Sequence, residues 1–232
     1  MKDILFNGRM IQAIKAGTKT QTRRLVKITH RTPGLSACLM PPVGLPRPKV
    51  AAELSPHRPG DLLLVKEAAW MWCERRPNGK TKTGRDKWTY VPMQVAPIHY
   101  AADHPSKPKV SVVSPDTGNA WGWRLKIGRF LPRWACRIVL RVKAVRAELL
   151  NTISETDALD EGISTVRSPA WDARHFPTWY QEYSSAIAAG TRPPVGPMPS
   201  QSYAALWEEI HGPGSWALNP WVWVLEFKVV KP

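Results

Sequence analysis

The sequence predicts a strand-rich α+β fold, a closed or nearly closed mixed β-barrel with short flanking helices and proline-rich insertions. Three observations predict it. Six or seven segments carry strand signals against three short helical ones, and the helices do not alternate with strands as a parallel βαβ sheet requires. Twenty-three prolines gather in aperiodic stretches at about 27–59, 103–120 and 164–200, which read as insertions. Finally, 43% hydrophobic residues with twelve tryptophans can fill the core of a 232-residue chain. No internal repeat is present, so residues 1–232 are expected to form one domain.

Taken in order, "ILF" at 4–6 reads as a short strand, and Met10, Ile11 and Ile14 then recur at helical spacing until Gly17, which suits a left-handed helix terminus. "TQTRRLV" at 20–26 continues as a β-branched strand. After the first insertion, "GDLLLVKEAAW" at 60–70 gives a turn and a buried strand. A charged, glycine-containing segment at 74–87 separates it from the strands "WTYVP" and "IHYAAD". Within "WACRIVLRVKAVRAELL" at 134–150, Ile138, Leu140 and Val142 alternate with Arg137, Val139, Arg141 and Lys143, giving one inward and one largely cationic face. "ISETDALDEGI" at 153–163 is a short acidic helix with Ser154 as N-cap, Asp157 three residues on, and Gly162 as its stop. A helix at about 201–210 and the strand "WVWVLEFKVV" at 221–230 close the chain.

Charge is unevenly spread. Residues 1–150 hold 28 Lys/Arg against 9 Asp/Glu, whereas residues 151–232 hold 5 against 9, an asymmetry that attracts a polyanion, most simply nucleic acid. Cys38, Cys73 and Cys136 show no C-x-x-C spacing, and the six histidines show no zinc-clamp pairing, so neither a disulfide framework nor a metal or other cofactor is expected. The N-terminus has no apolar run suited to a signal peptide and no segment approaches a membrane span, which points to a cytoplasmic protein without a membrane partner.

Residues 17–24, "GTKTQTRR", give neither face of a strand an apolar stripe, so packing does not explain them. Gln21, Arg23 and Arg24 could hold a phosphate backbone or a base. Glu67, at the end of a strand, could accept from the exocyclic amine of cytosine, or could equally pair with an arginine. Trp70 and Trp134 lie beside Lys66, Arg133 and Arg137 and are the stacking candidates; a base on an aromatic face gains about 1–3 kcal/mol. Trp207, Trp221 and Trp223 are assigned to the core. Arg133, Arg137 and Arg141, with Lys143, could track phosphates, the alternative being a solvated basic face.

The pattern G-x-K-x-x-T-x-R, filled by Gly17, Lys19, Thr22 and Arg24, is followed in order by "PGDLLLVKEAAW", "GRFLPRWACRIVLRV", "ISETDALDEGI" and "LWEEIHGPGSWALNPWVWVLEF". In that order the segments resemble the ASCH-domain proteins of the PUA-like superfamily, particularly the larger phage and prophage members. The resemblance implies a PUA-like barrel with flanking helices and a cleft for RNA or a nucleobase, and with the cations and tryptophans above the expectation is a basic, Trp-lined cleft that binds RNA or a modified pyrimidine nucleotide. Many members carry glutamate where this chain has Thr22. The threonine form is similar to the small bacterial N4-acetylcytidine amidohydrolases, whose lysine and threonine fall on Lys19 and Thr22 and whose glutamate aligns with Glu161.

What the resemblance implies chemically is a hydroxyl nucleophile at Thr22, a base at Lys19, and Glu161 orienting the lysine or passing its proton to the leaving amine. Burial and the neighbouring charges of Arg23 and Arg24 would favour the neutral lysine. Positions 19 and 22 of a regular strand face opposite ways, so this reading needs Lys19 in the turn after Gly17 or a folded-back side chain. The expected partner is nucleic acid, RNA before DNA, or a modified nucleoside. Alternatives are a ribonuclease, since one family member is described as such, and a non-catalytic phage regulatory or assembly protein that uses the barrel to bind a protein partner.

Overall fold

Gly17 takes a φ of +76°, and with it the first helix stops where the sequence places its end. The computed structural model describes residues 1–26, 55–106, 108–109, 111–113, 120–163, 174, 181, 184–186, 188–189, 191 and 197–231. Most of the insertions expected at 27–59 and 164–200, and part of that at 103–120, lie outside the described residues. By its internal contacts the chain divides into two compact units: unit 1 is Met1–Lys15, Leu62–Leu140 and Val229–Pro232, and unit 2 is Ala16–Asp61 and Arg141–Lys228.

Unit 1 opens with β1 (Lys2–Leu5) and α1 (Gly8–Lys15), whose entry is tied by the Met10 amide donating to Asn7 Oδ1 at 2.9 Å. Ile11 and Ile14, on one face of the helix, are buried. β1 pairs in parallel with β3 (Leu62–Lys66), from Lys2 opposite Leu63 to Leu5 opposite Lys66. β4 (Ala69–Lys80) is the centre of a second sheet. It pairs antiparallel with β5 (Asp86–Pro92), with β6 (Ile98–Tyr100) and with β8 (Ala120–Lys126), and β7 (Ser111–Val113) lies on the far side of β8. Ala69, Met71 and Cys73 alternate onto one face of β4 and form a core with Leu131 and Ala135, which come from two short 3-10 turns at Gly128–Phe130 and Arg133–Ala135 and the residues beside them.

Unit 2 begins in the turn after α1 and contains β2 (Gln21–Leu25), most of β9 (Val139–Leu149) and most of β10 (Trp221–Lys231). β10 lies between β9 and β2, with Leu225 opposite Thr22 and Val224 opposite Arg23. α2 (Glu155–Asp160) is capped by Ser154, whose side chain accepts from the Asp157 amide, and Gly162 turns the chain away at φ +85°. α3 (Pro199–His211) starts with Pro199 in its first turn, and the Gln201 side chain accepts from the Met198 amide at 2.9 Å. Its Tyr203 and Trp207 pack with Leu150, Ile153, Ala158, Val222 and Val224 into the core of the unit.

Strands outweigh helices, so the α+β class stands, but the barrel does not. Among the described residues the strand orders are open: β5-β4-β8-β7 with β6 on β4, and β9-β10-β2 in unit 2, and neither closes on itself. Nor does 74–87 merely separate strands. It carries β4 on to Lys80 and turns into β5 as a hairpin. Likewise β7 lies inside the stretch read as an insertion at 103–120. The cationic strand alternates as expected, with Ile138, Leu140 and Val142 buried and Arg141 and Lys143 exposed. Of the tryptophans assigned to the core, Trp207 and Trp223 are buried and Trp221 is half-buried. No described helix is long and apolar enough to cross a membrane.

Candidate functional site

In unit 2 the turn after Gly17 delivers Lys19 before β2 begins. There Lys19 forms an isolated antiparallel bridge with Glu161, the Thr20 amide donates to the Asp160 carbonyl at 2.8 Å, and the Phe227 amide donates to the Thr20 carbonyl at 2.8 Å. The bridge and the Thr20 amide thus fix Lys19 against the end of α2, and Phe227 ties the same turn to β10. The Lys19 ammonium donates to Glu161 Oε2 and to the Glu161 main-chain oxygen, each at 2.7 Å, with its side chain fully buried. Burial is the largest influence on this amine and pulls its pKa below the ordinary lysine value. Glu161 opposes the shift, and the charges of Arg24 and Arg23 add to it.

Around this pair the charges balance. Arg23 donates through Nη1 to Glu161 Oε1 at 3.2 Å and through Nη2 to Glu148 at 2.5 Å, with Asp157 3.2 Å away. Gln21, two residues earlier on the same face of β2, donates to the Asp157 carbonyl and to its Oδ1. Arg146 reaches Glu148, Asp157 and Glu226 at 3.1, 2.8 and 2.5 Å. Burial alone would raise the Asp157 carboxyl, but Gln21, Arg146 and Arg23 together hold it below its usual range. Burial also drives the Tyr203 phenol well up, and its ring lies 5.8 Å from the Arg23 guanidinium. Lys19, Arg23, Arg24 and Arg146 stand against Glu148, Asp157, Glu161 and Glu226, four cations to four carboxylates.

Thr22 is buried, alternates away from Gln21 and Arg23 along β2, and its hydroxyl makes no hydrogen bond among the described residues. Two of the three expected catalytic side chains, Lys19 and Glu161, therefore meet directly. Gln21 and Arg23, read as nucleic-acid contacts, are engaged within unit 2, Gln21 by Asp157 and Arg146 and Arg23 by Glu148 and Glu161, while Arg23 Nε has no partner among the described residues. Arg24 is half-buried in the same neighbourhood, where burial lowers its pKa and Glu161 opposes.

The remaining candidates belong to unit 1 and form their own cluster. Arg137 grips the buried Glu67 with two parallel hydrogen bonds, at 2.9 and 3.0 Å, and donates to Asp103 at 2.5 Å. Its guanidinium carbon lies 3.8 Å from the centroid of the Tyr100 ring. Of the two readings of Glu67, the arginine partner is the one realised. Lys66 donates to the Leu131 carbonyl and stands 3.8 Å from Asp3, which also binds Arg133. Trp70 is half-buried with an indole N–H that has no partner among the described residues, and Trp134 is 43% exposed. Among the described residues no group of three or more His, Cys, Asp or Glu side chains is placed to hold a metal ion.

Sequence reading misses the carboxylates that complete both clusters: Glu148, Asp157 and Glu226 in unit 2, and Asp103 in unit 1. The legible signal is the acidic stretch of α2, whose charge complements "KTQTRR". No protein-family model matches the chain, and neither a curated protein nor a solved structure matches it.

Proposed function

We propose that the chain is an ASCH-domain protein whose unit 2 binds a modified pyrimidine nucleotide and hydrolyses the amide of its N4-acyl group. The observation that carries the reading is the buried Lys19–Glu161 contact, with Lys19 pulled toward its neutral form. A neutral amine can take a proton, and the ammonium formed in the same place can return it. With Lys19 neutral the cluster holds three cations against four carboxylates, which favours an uncharged base over a phosphate as the guest.

In this reading Lys19 accepts a proton from water as the water oxygen bonds to the acyl carbon. The C–N4 bond then breaks, and the Lys19 ammonium delivers its proton to N4, releasing cytidine. The acyl group leaves as the free acid, and Lys19 is again neutral. Glu161 holds Lys19 in place throughout. Gln21 and Arg23 position α2 through Asp157 and Glu161.

Incubation of the protein with N4-acetylcytidine, followed by mass spectrometry, should yield cytidine and acetate. Lys19→Met should abolish the release, whereas Thr22→Val, on the other face of β2 from Arg23, should leave it in place. Unchanged nucleoside with folded protein would sink the proposal. Shortening of labelled single-stranded RNA under the same conditions would replace it with a nuclease.

A further inference from the structure

Among the described residues, the hairpin formed by β4 and β5 runs beyond the strands it packs against. Pairing of β4 with β8 ends at Glu74 opposite Trp121, yet pairing with β5 continues through Arg76 opposite Thr89 and Pro77 opposite Trp88 to Lys80 opposite Asp86. From Arg76 to Trp88 every residue is exposed. This arm extends about 17 Å at the usual rise of a strand. Its tip is nonetheless well made. The Thr81 amide donates to the Arg85 carbonyl at 2.7 Å, the Gly84 amide returns to the Thr81 carbonyl at 2.9 Å, and Gly84 accepts the turn's φ of +79°. Among the described residues the ribbon covers no core, so what it offers is its surface.

That surface is cationic. Arg76 is occupied by Glu74 at 2.7 Å. Lys80, Lys82, Arg85 and Lys87 have no carboxylate within ion-pair distance among the described residues, and Asp86 is the one acid between Arg75 and Trp88. Aromatic rings interleave with the charges: the Arg75 guanidinium lies 4.0 Å from the Trp88 centroid, and Arg124, on β8, lies 4.1 Å from that of Tyr90. Trp88 still shows 41% of its surface. Regularly placed cations with an exposed ring match a chain of phosphates carrying flat bases. A duplex keeps its bases stacked on one another, and an acidic peptide has no plane to offer the indole.

We propose that the β4–β5 hairpin of unit 1 is a docking arm for single-stranded nucleic acid, with Lys80, Lys82, Arg85 and Lys87 on the phosphates and a base stacked on Trp88. The arm's role goes beyond the hydrolysis proposed for unit 2 and stands whether or not that chemistry occurs. Recognition here is by charge and stacking, so it is tolerant of sequence.

The test is fluorescence anisotropy of the full chain with labelled oligo-dT and oligo-U of about 15 nucleotides, across about 50 to 200 mM salt. The combined variant Lys80→Ala, Lys82→Ala, Arg85→Ala and Lys87→Ala touches only exposed side chains and should keep its thermal midpoint. It should lose affinity and flatten the dependence of log K on log salt by about 3, since each phosphate contact on a single strand contributes about 0.7. Trp88→Ala should weaken binding about tenfold at fixed salt without changing the slope. Hydrolysis of free N4-acetylcytidine should be untouched by either change, which separates this test from that of unit 2. Undiminished affinity in the fourfold variant, unchanged binding by Trp88→Ala, or binding confined to duplex or to polyglutamate would each overturn the proposal.

Discussion

Lys19 Nζ lies 2.7 Å from the Glu161 carboxylate and 2.7 Å from the Glu161 main-chain oxygen, so one ammonium closes the end of α2 through side chain and backbone together. The two partners are not equivalent. Removing Lys19 leaves Glu161 with Arg23 at 3.2 Å, whereas removing the carboxylate leaves two buried cations facing each other. Glu161→Gln should therefore cost about 3–5 kcal/mol and Lys19→Met less, about 1–3 kcal/mol. A double-mutant cycle by urea unfolding should find the pair coupled by about 1–3 kcal/mol. Additive single effects would show that the contact carries no net energy.

The lowered pKa of Lys19 has a consequence with a definite sign. Between its folded value and the ordinary value of about 10.5, the folded chain binds fewer protons at this site than the unfolded one. Stability from this group is therefore present above about 10.5 and is lost as pH falls through the folded value. Unfolding free energy of the wild type relative to Lys19→Met should rise with pH across that window. In the nucleoside assay the rate should climb through the same lowered pKa, below about 10.5.

In unit 1 the bidentate grip on Glu67 makes Arg137 the residue whose loss should hurt most. Arg137→Ala leaves a buried carboxylate without its fork and should destabilise by about 3–5 kcal/mol, and Arg137→Lys should restore only part, lacking the planar geometry. Hydrogen bonds from Arg137 and Lys15 hold the Asp103 carboxyl well below the usual range. Its contribution is complete above the ordinary aspartate value of about 3.8 and fades as pH drops through the folded one. Acid titration should show the Asp103→Asn penalty shrinking over that range.

Gly128 gives a purely steric prediction. A Cβ there would stand 2.9 Å from the Lys66 carbonyl oxygen and 3.0 Å from a Leu5 methyl. The oxygen belongs to backbone already paired in β3, so it cannot withdraw cheaply. Gly128→Ala should cost about 1–3 kcal/mol, measured by thermal or urea unfolding, whereas Gly84→Ala should be penalised only for its left-handed backbone.

Local structure is legible wherever a single residue fixes a backbone. Gly17, Ser154 and Gly162 mark element ends because their chemistry acts within one turn. The alternation through Ile138, Leu140 and Val142 reads correctly because one face is buried and the other is not. It also follows from Gly17 that Lys19 stands in the turn rather than on the strand. What is hidden depends on partners distant in sequence. Arg23 looks like a free cation until Glu148, 125 residues on, is brought to it. The outer half of β4 is invisible for a different reason: with neither face buried, Arg75 to Lys80 carry no apolar period. Strand count likewise says nothing about pairing order, which is why a barrel is expected and open sheets are found.

Pro77 has a meaning that reaches past the single molecule. Beyond Glu74, β4 has only β5 beside it among the described residues, so its other margin offers unpaired amides and carbonyls to any passing strand. A proline nitrogen cannot donate there, Gly79 sits within a break in register, and the flanking lysines and arginines repel a second copy of themselves. The same ribbon that projects into solvent is thereby kept from seeding intermolecular sheets. Exchanging Pro77 for a β-branched residue would trade colloidal tolerance for fibre-prone self-association at high concentration.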